Sequence, residues 1–271
     1  MPRYYLASIK GKRESNEDQE VVIDNINHKN KSLAPITYLA VFDGHAGPKV
    51  SKYLADNLKK YFLSSTYPMD KKKIRDIYDI VQKKLEVKHG DYSKYSGSTA
   101  LVGIMYKHKD SLYLRAINTG DCRMVICRNN IASPLTKDHK PNKPEEFHRI
   151  NALGGKIEYD GYDYRINSLS VSRAFGDLDA RPEVTHVPDV FKYHIEVNSE
   201  TGDKFMVLAC DGLWDVMDNQ EVIDFILLNC YETPTSRKRI NKSDNIANKL
   251  AKYAIDNKGS TDNVSVIVYF F

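Results

Sequence analysis

Acidic residues stand where apolar runs of this chain begin or end. Asp43 closes the run "YLAVF" and is followed by Gly44 and His45. Asp211 closes "FMVLAC" and is followed by Gly212. Asp121 in "NTGDCRMVIC" and Asp262 in "STDNVSVIVYF" instead open apolar runs. Glu17 and Asp18 precede "EVVID", and Arg13 lies four residues ahead of Glu17. Singly, each Asp-Gly pair fits an ordinary turn, because Asp bonds its own backbone and Gly accepts positive φ. Jointly, acids at strand ends and strand starts can share one rim, since antiparallel neighbours set the end of one strand beside the start of the next. Two carboxylates about 4 Å apart repel by about 4 kcal/mol at an effective dielectric near 20. A converging set therefore needs protons or cations. Oxygen ligands without a Cys or His cluster suit Mg²⁺ or Mn²⁺ better than zinc. Arg13 adds forked donors that match a phosphate, and His45 adds a proton donor with a pKa near neutrality.

The elements that must carry these residues follow from periodicity. Strands are expected at Tyr4–Ile9, Glu20–Asp24, Ile36–Phe42, Ser98–Tyr106, Ser111–Ile117, Arg123–Cys127, Lys204–Ala209 and Val264–Phe270. "SLYLRAIN" alternates, whereas "FMVLAC" is apolar throughout, as a strand covered on both faces would be. Helical spacing marks Lys49–Phe62, with Val50, Tyr53, Leu54 and Leu58 on one stripe, and Asp70–Val87, with Ile74, Ile77, Tyr78, Val81 and Leu85. Lys143–Leu153, Asn219–Asn229 and Asp244–Asp256 are amphipathic too. Strands come in hairpin-like succession and helices in groups between them. That order argues against a doubly wound parallel sheet and for antiparallel sheets with helices packed outside.

Composition excludes several classes. The 271 residues are 41% hydrophobic and 28% charged, enough for a substantial core. No linker or repeat divides them, so a single domain over 1–271 is expected. A net charge of +4 is only mildly basic, and the runs Lys71–Lys73 and Arg237–Arg239 read as solvated faces rather than a nucleic-acid patch. Cys122, Cys127, Cys210 and Cys230 form no CxxC pair and are expected to be reduced. The N-terminus lacks a secretory apolar region, Pro2 stands where myristoylation needs glycine, and no run approaches a membrane span. An intracellular chain is expected, in cytoplasm or nucleus.

In sequence order, "KRESNEDQ" (12–19), "VFDGHAG" (41–47), "SGSTA" (96–100), "NTGDCR" (118–123), "LTKDHKP" (135–141), "LSVSRAFGD" (169–177), "LACDGLWDV" (208–216) and "TDNVSVIV" (261–268) resemble the motifs of the metal-dependent, type 2C serine/threonine protein phosphatases. The resemblance implies an α+β fold: two packed antiparallel β-sheets forming a central sandwich flanked by helices on both sides. It implies Mg²⁺ or Mn²⁺ as cofactor, in two sites with a third, weaker one. Asp43 would bridge two ions, with the Gly44 carbonyl and Glu17 on one of them, and Asp211 and Asp262 on the other. Asp18 would hold a water of the metal centre, and Asp121 would serve the weaker site together with Asp211. Arg13 would grip the phosphate and His45 would be the general acid. Phosphorylated proteins would be the substrates of a monomer with no nucleic-acid or membrane partner. Small departures stand beside the match: Ala46 precedes Gly47, Cys122 follows Asp121, and the flap segment between Lys156 and Asp189 is short.

Rival readings are weaker. Cys122 and Arg128 have the C-x₅-R spacing of cysteine-dependent phosphatases, but "CRMVICR" holds no glycine and reads as a strand. Neither Asp-Gly site carries the second Asp of an aspartyl-phosphate mechanism. A catalytically inactive relative that docks partners is the remaining alternative, since fold does not fix function. The acids and Arg13 that such a protein typically loses are all present. Trp214 is read as core.

Overall fold

The strands form because β-branched and aromatic residues alternate between two apolar environments. In "FMVLA", Phe205, Val207 and Ala209 pack against helices, whereas Met206 and Leu208 pack against the opposite sheet. The same division holds in "ITYLAVF": Tyr38, Ala40 and Phe42 face helices, and Leu39 and Val41 face the other sheet. Both runs are therefore buried along their whole length, the expected outcome for strands covered on both faces.

A computed structural model describes residues 3–26, 35–63, 67–197, 199, 201–240 and 244–271. Met1 and Pro2, on which the reading of myristoylation rests, lie outside the described residues. The strands are β1 (Tyr4–Ile9), β2 (Gln19–Ile23), β3 (Ile36–Phe42), β4 (Gly44–His45), β5 (Gly97–Ser98), β6 (Ala100–His108), β7 (Ser111–Thr119), β8 (Arg123–Arg128), β9 (Ile131–Pro134), β10 (Glu158–Tyr159), β11 (Tyr164–Arg165), β12 (Phe175–Gly176), β13 (Asp189–Ile195), β14 (Asp203–Ala209) and β15 (Val264–Phe270). The helices are α1 (Lys49–Asn57), α2 (Lys71–Ser93), α3 (Pro144–Ala152), α4 (Asp211–Trp214), α5 (Asn219–Cys230) and α6 (Ile246–Asp256).

Two five-stranded antiparallel sheets, ordered β1-β15-β14-β8-β9 and β13-β7-β6-β3-β2, pack face to face. Helices α5 and α6 cover the outer face of the first, and α1 and α2 cover the outer face of the second. This is the sandwich that the sequence led us to expect, with helices on both sides. Local signals agree with it. Asp218 and Glu221 close a reciprocal cap at the start of α5, at 2.8 and 2.9 Å. Asp70 caps α2 through the Lys73 N–H at 2.7 Å. Two differences are instructive. Helix α1 tightens into a 3₁₀ turn, Leu58–Tyr61, and α2 runs on past Val87 through a kink at His89. The expected strand Ser98–Tyr106 is split at Thr99, because β5 leaves the large sheet and pairs with β4 and β12 instead.

Of the basic runs, Lys71–Lys73 is solvated as expected. Arg237–Arg239 is not a plain solvated face: Arg237 donates to the Val197 carbonyl at 2.9 Å, and the Arg239 guanidinium lies 3.6 Å from the Phe270 ring centroid. No helix among the described residues is long and apolar enough to cross a membrane.

Candidate active site

Register brings the acids together. Ala209 at the end of β14 pairs with Val266 of β15 on one side and Arg123 of β8 on the other. Asp211, just past β14, therefore neighbours Asp262, just before β15, and Asp121, just before β8. Asp43 arrives from the opposite sheet, at the end of β3. The rim is thus shared between the sheets, whereas strand order alone suggested neighbouring strands. Asp18 sits at the entry to β2, beside the end of β3 through the pair Gln19 and Phe42.

Asp43, Asp121, Asp211 and Asp262 line a cleft of about 670 Å³ that also receives Arg13, Glu17, Gly44 and His45. Asp18 does not line the open cleft. It lies beneath it, 2% exposed, and neither of its carboxylate oxygens meets a donor in good hydrogen-bond geometry. The ligand atoms of Asp18, Asp43 and Cys210 lie within 4.8 Å of one another. Burial pushes the Asp18 pKa up to about 6, although the nearby Ser265 hydroxyl and Cys210 thiol temper the rise. Burial, then the charges of Asp18, Asp211, Asp121 and Asp262, hold Asp43 well above the usual carboxylate range. Asp211 is raised well above the usual range by burial first, then by the charges of Asp121 and Asp215, with Lys140 opposing the rise. The described residues bring only Arg13, at Asp262, and Lys140, beside Asp121 and Asp215, to this larger set of acids, and a buried surplus of like charge fits a cation-binding role. Cys210 Sγ is already engaged with backbone, accepting from the Ser265 N–H at 3.2 Å and donating to the Asn263 carbonyl at 3.4 Å. The remaining donors that line the cleft, Glu17, Asp43, the Gly44 carbonyl, Asp121, Asp211 and Asp262, are oxygens, which fits Mg²⁺ or Mn²⁺.

Backbone hydrogen bonds hold the rim in place. The Asp43 N–H donates to Thr99 Oγ1 at 3.0 Å, and the Thr99 N–H donates to the Asp43 carbonyl at 2.8 Å. The split of the strand at Thr99 thus positions Asp43. Asn263 clamps the loop that bears Arg13 and Glu17: its Oδ1 accepts the Glu17 N–H at 2.8 Å, and its Nδ2 donates to the Lys10 and Ser15 carbonyls at 2.7 and 2.9 Å. Glu17 Oε2 accepts the Gly47 N–H at 2.8 Å. A side chain at Gly44 would meet the Glu17 carbonyl at 2.5 Å, so this close approach requires glycine. Arg13 is 60% exposed and rests on Asp262, Nη2 to Oδ2, at 2.6 Å.

His45 has a partner that sequence reasoning missed. Its Nε2 lies 2.9 and 2.8 Å from the two oxygens of Asp177, a residue 1% exposed. The small sheet β12-β5-β4 brings them together, since His45 pairs with Gly97 and Gly97 with Gly176. A Cβ on Gly97 would stand 2.1 Å from Asp177 Oδ2 and 2.5 Å from His45 Nε2. Burial alone would lower the His45 pKa; the hydrogen bond and charge of Asp177 outweigh it, and the net shift is upward. "LSVSRAFGD" was the available signal, but no periodicity tied its last residue to a histidine 132 positions away.

The decoy does not survive. Cys122 is buried with its thiol pKa driven far up by burial, and Arg128 is engaged with Asp203 at 2.8 Å. All four cysteines are buried thiols. Trp214 is core, with its Nε1 donating to the Ala209 carbonyl at 3.0 Å. The flap segment packs Ile166, Val171, Ala174, Ala180 and Val184 into a small core with Ile150 of α3. It is anchored to α3 by Glu146, whose Oε2 accepts from Arg149 and Ser172 at 2.8 Å each and whose Oε1 accepts from Arg173 at 3.0 Å.

Comparison with known proteins agrees with this geometry. A family model described as Protein phosphatase 2C matches residues 3–264. Human Protein phosphatase 1A is 34% identical over 293 aligned positions, covering 99% of this chain and 70% of that protein. A PP2C-like domain-containing protein of Acanthamoeba polyphaga mimivirus is 47% identical over 173 positions, covering 58% of this chain and 94% of that protein. Among solved structures, a phosphatase from a pathogenic strain of Toxoplasma gondii superposes with a TM-score of 0.80 at 26% identity, covering 99% of this chain and 93% of that one. A C. elegans sex determining protein superposes with a TM-score of 0.81 at 26% identity, covering 98% of this chain and 64% of that one.

Proposed function

Because the chain belongs to the protein phosphatase 2C family, we propose that it removes phosphate from phosphoserine and phosphothreonine of proteins, with water as the direct attacking group and two Mg²⁺ or Mn²⁺ ions as cofactor. The observation that carries this reading is Asp18: a carboxylate 2% exposed, with both oxygens lacking a good donor, beside Asp43 at the floor of the cleft. That arrangement is costly for the folded chain alone and stable once cations arrive. When bound, such ions supply Lewis acidity and make water nucleophilic near neutral pH. Asp43, Glu17, the Gly44 carbonyl, Asp211 and Asp262 are assigned to hold them, with Asp18 in support and Asp121 at a weaker third position.

The rest of the mechanism rests on this chain's own groups. Arg13 is exposed and makes one ion pair at the surface, so swinging its remaining N–H donors onto a phosphate costs little. Its fork would orient the phosphoryl group for in-line attack. The leaving serine or threonine alkoxide needs a proton. His45 Nε2 is committed to Asp177, which leaves Nδ1 as the nitrogen that exchanges a proton with substrate. Asp177 holds the ring orientation and favours the protonated form.

Release of phosphate from a phosphothreonine peptide, measured with Mn²⁺ or Mg²⁺ and again with EDTA, tests the proposal. Turnover that requires the divalent ion is the expected result. Peptide binding with no turnover under any divalent ion would instead support an inactive, partner-docking role on the same scaffold.

A further inference from the structure

Lys140 reaches the acidic cleft from the loop between β9 and α3. Its Nζ stands 3.4 Å from Asp121 Oδ2 and 3.6 Å from Asp215 Oδ1, and the side chain is 17% exposed. The loop that delivers it is rigidly tied. The His139 N–H donates to the Gly120 carbonyl at 3.0 Å, the Gly120 N–H donates to His139 Nδ1 at 3.1 Å, and the Ser172 N–H donates to the His139 carbonyl at 2.9 Å. Asp138, the preceding acid, is already taken by Arg123 at 3.0 and 2.6 Å. Lys140 is therefore directed at Asp121 and Asp215, not merely nearby.

Both separations exceed the 2.7–2.9 Å or so of a tight charge-assisted hydrogen bond. Asp121 is 1% exposed, and its Oδ2 receives no hydrogen bond of good geometry. One ammonium thus lies between two carboxylates without closing on either. A single positive charge leaves that pair with one net negative charge, and Asp211 and Asp163 add more negative potential around it. A divalent ion in the same place would balance the pair.

We propose that the Lys140 ammonium is the built-in occupant of a third cation position between Asp121 and Asp215, and that a divalent ion enters it only as Lys140 withdraws. This rests on the metal-dependent reading above and explains why a third ion would be held weakly: it must displace a charge that the chain itself supplies. Asp215, four residues after Asp211 in the same motif stretch, would hold an ion there alongside Asp121. Lys140 acts on the ion through charge, and touches no reacting atom.

The test counts Mn²⁺ bound to the full chain by titration calorimetry and by the electron paramagnetic resonance of free Mn²⁺. Removing the resident charge in Lys140→Met is expected to tighten the weakest site by about tenfold or more. One additional Mn²⁺ then binds at concentrations where the wild type holds two. Lys140→Arg, which keeps the charge, is expected to bind as the wild type does. Adding Asp215→Asn to Lys140→Met is expected to abolish the gain. Lys140→Gln repeats the experiment with a polar neutral side chain should the methionine variant not fold, as judged by circular dichroism. Equal Mn²⁺ stoichiometry and affinity in the wild type and either neutral variant would overturn the inference, as would a gain in Lys140→Arg as large as in Lys140→Met. A wild type that takes up no Mn²⁺ at all would instead overturn the metal-dependent reading itself.

Discussion

Glu146 and Asp18 are each 2% exposed, yet their pKa values move in opposite directions. Burial raises both. At Glu146 the guanidinium groups of Arg173 and Arg149 overcome it and hold the carboxyl down to about 2. At Asp18 no cation among the described residues is in contact, and the pKa is pushed up to about 6. Glu146 is a finished structural joint: it ties α3 to the flap and brings its counter-ions with it. The rim around Asp18 and Asp43 carries a surplus of negative charge among the described residues, the feature on which the metal-dependent reading rests. A buried carboxylate therefore reports its role through what surrounds it, not through its burial.

The sharpest way to break this comparison is to neutralise one acid at each place. Asp43→Asn is expected to reduce phosphopeptide hydrolysis by about 10³-fold or more, since it removes the ligand assigned to both ions. In EDTA the same variant is expected to melt no lower than the wild type, because it relieves repulsion. A lower melting point in EDTA would mean that the rim is a structural joint after all. Glu146→Ala should do the reverse. Removing one partner of a buried charge cluster costs about 3–5 kcal/mol, measurable by urea denaturation. An unchanged midpoint would remove Glu146 as the anchor of the flap.

The rim itself was legible in the sequence because its acids interrupt apolar runs, and apolar runs are what periodicity detects best. Asp43, Asp121, Asp211 and Asp262 all stand just outside expected strands that the structure contains. What was missed lies where that signal is weak. β9 and β13 are the edge strands of the two sheets. Edge strands carry polar residues on their open side, and β13 has Lys192 and His194 exposed. Proline at the end of β9 weakened its pattern further. Glu146 reads as a solvated helix acid, and only the packing of the flap shows that three donors converge on it. Asp177 adopts a left-handed backbone, φ +46°, which no spacing rule announces for a non-glycine residue. Arg237 and Arg239 read as a surface charge run, yet they bind carbonyls and an aromatic face.

His45 sits between the two extremes, a titratable group whose raised pKa comes from a chain-supplied partner beside the acidic rim. His45→Ala is expected to slow hydrolysis of a phosphoserine peptide by about 10²-fold. Nitrophenyl phosphate, whose leaving group needs no proton, is expected to slow far less. Equal slowing of both substrates would count against an acid role and leave His45 as a strut of the small sheet.

Acidity separates the two carboxylates with the smallest effect and without mutation. A carboxyl whose folded pKa is raised binds protons more readily when folded, so its burial penalty is fully present above the folded value and gone below the unfolded one. For Asp18 that window runs from about 6 down to 3.8. Glu146, lowered to about 2 from 4.5, contributes stability that is present above 4.5 and lost as pH falls toward 2. In EDTA, melting temperature is therefore expected to rise by a few degrees as pH drops from 7 to about 4.5, and then to fall steeply below that. Saturating Mn²⁺ should abolish the rise, because bound cations remove the repulsion at neutral pH and compete with protons on acidification. Scanning calorimetry across this range with and without Mn²⁺ reads both limbs at once. A metal-free melting temperature that only falls on acidification would mean that the rim acids are already balanced by the chain, and the contrast with Glu146 would disappear.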